Sequence, residues 1–189
     1  MINLSKQFIY KKWDYQVLLS YKSEIKTRCE KIEVLSKLSP IIPNTNFEWG
    51  KERLIQRQVR IKNTTKISNY YNFEKLRDLA ILLDIKDSLN LIHGDICPRN
   101  ILWSDFENSY FVIDWEPDLF QIRNGKKSHI TTVEYAYPKD KYTKAPCSLK
   151  GDKYSFIKTL HKCIKKEFTF TSDKLLDLTY ISILKKIIQ

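Results

Sequence analysis

From His93 to Asn100 the chain reads HGDICPRN, and a short apolar run, YFVI, then delivers Asp114, with Glu116 two positions further on. ILW and SYFVI flank a turn containing AspPhe and GluAsn, which is the pattern of a hairpin of two short strands. The acids and the amide in this stretch form a set with a definite chemistry. Asp95 can orient an acceptor hydroxyl and take its proton. Asn100, through its amide oxygen, and Asp114, through its carboxylate, can hold Mg²⁺ across the phosphates of ATP, since magnesium favours hard oxygen ligands. A step of five residues from Asp95 to Asn100 lets one tight loop turn both side chains toward the same ion. Taken singly, each residue has a plainer use: His93 as a structural histidine, Asp95 and Asn100 as turn caps, Asp114 and Glu116 as a solvated strand end. Their occurrence together and in this order is what carries the chemical reading.

The rest of the chain supplies a scaffold for this stretch. Residues 7–13 (QFIYKKW) alternate like a strand, and residues 21–38 place Ile25, Cys29, Ile32, Leu35 and Leu38 on one face of a helix. Ser39-Pro40 and Pro43 stop that helix. A strand is expected over 53–61, a polar connection over 62–72, and a helix over 73–90 with Leu76, Leu79, Ala80, Leu83 and Leu89 inward. Residues 117–151 read as loop, and 152–166 and 172–187 as helices, the second opening on Ser172 as N-cap. The fold class is therefore α+β.

HGDICPRN followed by VIDWE resembles the catalytic loop and metal-binding strand of the protein-kinase-like superfamily. The HGD form, and DWE where protein kinases carry DFG, resemble the branch with aminoglycoside phosphotransferases and choline kinases. Further along, TTVEYAYP (131–138) is similar to the end of a protein-kinase activation segment. GDKYSFIKTL (151–160) is similar to the segment after it, in which an Asp, here Asp152, braces the catalytic loop from a helix start. The resemblance implies a bilobal fold and an ATP- and Mg²⁺-dependent transfer of phosphate to a hydroxyl. It makes Asp95 the base, Asn100 and Asp114 metal ligands with Glu116 as a further candidate, and His93 a brace. It also asks for a strand lysine paired with a helix glutamate. Lys11 fits the first role and Glu30 the second, with Lys12, Glu24 and Glu33 as competitors.

The chain also departs from the family's pattern. Ten residues without glycine precede Lys11, too few for the Gly-rich hairpin, so a truncated N-lobe over 1–62 and a minimal helical C-lobe over 63–189 are expected. Cys97 stands where protein kinases usually carry a lysine that steadies the transferred phosphate, and Arg99 is the candidate substitute. Gly94 replaces the usual Arg before the catalytic Asp, so control by a phosphorylated loop contacting that Arg is not expected.

Charge narrows the partners. The chain carries +11, with Lys and Arg in excess over 1–62 and 121–167 and acids in excess over 63–120, where the motif lies. Basic flanks can meet nucleic acid, anionic lipid or an acidic protein, but a solvated basic surface is the plainer reading; nucleic acid is disfavoured, because no aromatic-basic RNA-binding signature accompanies them. The four cysteines show no CxxC pair, against structural zinc and for reduced thiols. No apolar run is long enough to span a bilayer, and MINLSKQFIYKKWDYQVLL does not read as a signal peptide. A cytoplasmic-type protein is expected, with secretion into a host cell by a signal-less route left open. The expected acceptor is a protein Ser/Thr hydroxyl, since no residues are spare for an inserted small-molecule pocket. A small-molecule kinase and a pseudokinase that docks an acidic partner are the alternatives.

Overall fold

A computed structural model describes residues 8–14, 22–51, 53–67, 75–117, 120–123, 126–129, 132, 134–137 and 148–164. The helix expected over 172–187 and the approach to the first strand over 1–7 lie outside the described residues.

Three strands make the first sheet: β1 (Phe8–Asp14), β2 (Thr45–Trp49) and β3 (Arg53–Val59), all antiparallel in the order β1-β3-β2. Directly paired residues share a face and faces alternate along each strand. Lys11 lies opposite Gln56, and Gln56 opposite Phe47; Trp13, Leu54 and Trp49 form the next row on the same face. The helix α1 (Lys22–Leu38) covers this face, with Ile25 and Cys29 packed on Leu54 and flanked by Trp13, Phe47 and Trp49. The spacing of Ile25, Cys29, Ile32 and Leu35 is that of one helical stripe, and all four are buried. The opposite sheet face carries Phe8, Tyr10 and Lys12, with the Arg57 guanidinium 3.8 Å from the Phe8 ring centre.

The lower half of α1 enters a second, larger core. Ile32 and Leu35 meet Leu79 and Leu83 of α2 (Leu76–Ser88) and Phe156 and Leu160 of α3 (Leu149–Ile164) there. Above that core runs the second sheet, β4 (Thr64–Lys66), β5 (Ile101–Ser104) and β6 (Ser109–Val112), again antiparallel and in that order. β5 and β6 are the expected hairpin, with Ile101 opposite Val112. Four strands were not read from the sequence. β2 lies just past the Pro40–Pro43 stop, β4 occupies part of the expected polar connection, and a hairpin of β7 (Phe120–Arg123) and β8 (Lys126–His129) interrupts the expected loop 117–151. The fold is thus mixed α and β, with small antiparallel sheets and few helices, compatible with a kinase-like architecture. Among the described residues no helix is long and apolar enough to cross a membrane.

Candidate active site

The loop before β5 is organised around two braces. Asp152, in the first turn of α3 and buried, accepts hydrogen bonds from the backbone N–H of His93 (2.6 Å) and of Gly94 (2.8 Å). Its own charge is met by the buried Lys86 of α2, whose Nζ lies 3.0 Å from Asp152 and 2.7 Å from Asp87. Gly94 has a φ of 87°, a conformation in which a Cβ is costly, and this explains locally why no side chain follows His93.

His93 is the second brace. It is buried, with its ring edge against Trp115 at 4.5 Å between centres. Its Nδ1 accepts from the Asp95 N–H at 3.2 Å, so the proton sits on Nε2 and is donated to the Ile113 carbonyl at 2.9 Å. Burial pushes its pKa below the ordinary histidine value and outweighs the pull of Asp152, which keeps the ring neutral. The Ile113 N–H donates to the Asn100 carbonyl at 3.0 Å. His93, Asn100 and the residue before Asp114 are therefore tied together at one peptide. Asp114 follows with a φ of 69°, a left-handed turn that Asp tolerates better than most residues.

Asp95 and Asn100 meet directly. The Asn100 Nδ2 donates to the Asp95 carbonyl oxygen at 2.8 Å and to its carboxylate at 3.1 Å, which leaves the amide Oδ1 as an acceptor for a ligand. Arg99 donates to Asp95 Oδ2 at 2.6 Å, so in this structure the guanidinium serves the carboxylate rather than standing alone at a phosphate position. The other oxygen, Oδ1, accepts from both the N–H and the hydroxyl of Thr132, each at 2.6 Å.

The opposite wall comes from the first sheet. Lys11 points to the face that α1 covers, and its ammonium is ion-paired with Asp114 and, at 2.8 Å, with Glu116. Lys12 is exposed on the other face, so of the two lysines it is Lys11 that stands beside Asp114 and Glu116. Burial alone would lower the Lys11 pKa; the bonds and charges of Asp114 and Glu116 outweigh it and raise it. Burial pushes the Asp114 carboxyl up, and Lys11 more than offsets that, so it lies below the ordinary carboxylate range. For Glu116 burial wins, aided by the Asp114 charge, and its pKa is raised.

Glu30 is not brought to Lys11. It is exposed on α1, one position beyond the buried Cys29, while the side chain that reaches the cleft is Arg28. Arg28 donates through Nε to the Glu116 carbonyl (2.8 Å) and through Nη1 to the Ile92 carbonyl (2.6 Å). Glu33 instead accepts from the Phe47 N–H at 2.7 Å, and Glu24 is exposed. Gln56, buried on β3, donates to the Trp115 carbonyl at 3.2 Å. Arg28, Gln56, Lys86 and Thr132 were missed by sequence reasoning. Only Lys86 left a clear signal: it falls seven residues after Leu79, on the apolar stripe of α2, where a charge demands a buried partner.

The donor set fits magnesium. Two carboxylates already surround one cation, the Lys11 ammonium, and the Asn100 amide is held by its nitrogen, which leaves its oxygen to accept. Mg²⁺ usually takes only one or two carboxylates from protein and fills the rest with water and phosphate oxygens.

Comparison with known families accords with this geometry. Residues 39–117 match the model of the phosphotransferase enzyme family, which lies within the protein-kinase-like superfamily. Over this stretch the chain resembles that superfamily. The match runs from the end of α1 to the acids after β6, so it takes in His93, Asp95, Asn100, Asp114 and Glu116. As a class of activity it points to phosphotransfer, which requires a hydroxyl-bearing substrate. Lys11, Arg28 and Asp152 lie outside the matched phosphotransferase stretch, and their link to it rests on the contacts above. No curated protein gives a significant match to the chain.

Proposed function

We propose that the protein transfers the γ-phosphate of ATP, with Mg²⁺, to a hydroxyl acceptor, and that residues 1–62 and 63–189 act as a reduced N-lobe and a minimal C-lobe about the cleft. The observation that carries this reading is the seating of Lys11 between Asp114 and Glu116, at the strand end tied through Ile113 to His93 and Asn100. Asp95 takes the acceptor proton, and its position is fixed by donors on both carboxylate oxygens. Asn100 and Asp114 would hold the metal, with Glu116 as a further ligand, and the metal would supply neutralisation of charge on the phosphates. Lys11, on the strand wall facing those carboxylates, would be the contact for a phosphate oxygen. Arg99 contributes a cation at the same carboxylate where a kinase lysine is missing.

A protein Ser/Thr acceptor is the reading we favour, because a threonine hydroxyl already sits on Asp95 in this structure. A small hydroxylated molecule is the competing acceptor, favoured by the HGD and DWE forms within the matched stretch. Release of ADP from Mg²⁺-ATP on addition of protein substrates, and separately of sugars, aminoglycosides and lipid precursors, distinguishes the two. Asp95→Asn should reduce any turnover by about 10²–10⁴-fold, the usual share of a general base. Unchanged turnover in that variant would remove Asp95 from the chemistry.

A further inference from the structure

Lys11 is not held by a helix glutamate: Glu30 is exposed, and the two acids on its ammonium, Asp114 and Glu116, come from the opposite wall. A phosphate approaching that ammonium brings negative charge of its own and is repelled by each carboxylate already there. A neutral oxygen can hold the same N–H without that repulsion, and Gln56 carries one. Gln56 stands directly opposite Lys11 in the ladder between β1 and β3, on the same face, where paired side chains start about 5 Å apart. It is 2% exposed, and its amide is fixed end for end. The Trp115 carbonyl can only accept, so the group bonded to it at 3.2 Å is Nε2. Among the described residues the other end, Oε1, is buried without a hydrogen-bond partner, a costly state for a polar atom. The Lys11 ammonium has three N–H donors, of which Asp114 and Glu116 take two. An unused acceptor thus faces the ladder position that carries an unused donor. Trp115, which anchors the amide, is the residue between the two acids.

We propose that Gln56 is the positioning residue for Lys11, its Oε1 accepting the third N–H of the ammonium when Lys11 meets the phosphates of a nucleotide. The inference rests on the phosphotransferase reading and deepens it by assigning a residue outside the motif. Gln56 touches neither nucleotide nor acceptor and acts through Lys11 alone. Because the amide is uncharged, it fixes the ammonium without weakening its attraction for phosphate. The bond from Nε2 to Trp115 keeps the peptide between Asp114 and Glu116 aligned with the same lysine. One side chain on the central strand of the first sheet then sets the basic wall and the acidic wall relative to each other.

The test is calorimetric titration of the full chain with Mg²⁺-ATP and, in parallel, with adenosine, which lacks the phosphates that Lys11 meets. Gln56→Met keeps the length of the side chain and removes both polar ends. It should weaken ATP binding about 10-fold or more, the scale of one hydrogen bond to a charged group, and leave adenosine binding within about 2-fold. Gln56→Glu, which keeps an oxygen toward Lys11, should bind ATP more tightly than Gln56→Met, and it serves as the probe if the methionine variant folds poorly. On a Lys11→Met background, Gln56→Met should change ATP affinity by less than about 2-fold, because the lysine through which it acts is gone. Unchanged ATP binding in Gln56→Met, an equal loss for adenosine, or an equal loss with and without Lys11 overturns the proposal and leaves the nucleotide site standing. Gln56 would then only hold the Trp115 peptide. Absence of ATP binding to the wild type brings down the phosphotransferase reading and this inference with it.

Discussion

One ammonium group holds two carboxylates that would otherwise repel each other at the end of a strand. The three groups titrate in different directions, and this makes the cleft readable by pH. Asp114 gives up its proton more easily in the fold than in the open chain. Its contribution to stability is therefore complete above the ordinary carboxylate range and is lost as pH falls through the lowered value. Glu116 does the opposite: the fold keeps its proton longer, so stability declines as pH rises from the ordinary glutamate value through the raised one. Thermal melts between about pH 3 and 7 should show a shallower acid limb for Asp114→Asn and the loss of that decline for Glu116→Gln. Identical curves for wild type and both variants would contradict the pairing. At this scale much of the arrangement was legible, because His93, Asp95, Asn100 and Asp114 follow one another closely along the chain, and Asp152 stands at a recognisable helix start. The glutamate partner of Lys11 was not. Which charge of α1 turns inward depends on where the helix rolls on the sheet, and Glu30 and Arg28 stand on either side of Cys29.

Helices and strands fix the loop through a few polar bridges. Arg28 joins α1 to the two carbonyls on either side of the motif, Ile92 and Glu116, and a charged donor contributes about 1.5–3 kcal/mol per hydrogen bond. Arg28→Met should cost about 2–4 kcal/mol in urea unfolding, and Arg28→Lys should recover only part of it, since one ammonium cannot match the guanidinium fork. Full recovery by lysine would show that charge alone matters there. Lys86 joins α2 to Asp152 in α3. Removing one member of a buried ion pair leaves the other uncompensated, so Lys86→Met should cost about 3–5 kcal/mol. A variant as stable as wild type would mean that Asp152 is satisfied by the loop N–H groups alone. The long helices were legible through their apolar stripes. The short strands were not, because three to five residues rarely establish a period: β2 follows directly on a proline stop, and β8 reads as charge, KKSH. The Asn124-Gly125 pair between β7 and β8 was the available hairpin signal.

At the scale of the whole molecule two apolar clusters flank the Lys11–Asp114 junction, one under the first sheet and one beneath the loop 93–100. α1 contributes to both, and Lys11, Arg28 and Gln56 cross between them to the segment around Asp114. That arrangement gives the family resemblance physical content beyond residues 39–117: the basic wall and the acidic wall of the cleft face each other. The sequence could assign these walls to one site only through the motif order, since Lys11 and Asp114 are far apart along the chain. The central claim is that this junction is a working Mg²⁺-nucleotide site. Calorimetric titration of ATP with and without Mg²⁺, on the wild type and on Asp114→Asn, tests it most directly. The account predicts Mg²⁺-dependent binding that the variant loses. No binding to the wild type at millimolar ATP, or equal binding by the variant, would contradict it and leave a kinase-shaped module whose task is to dock a partner.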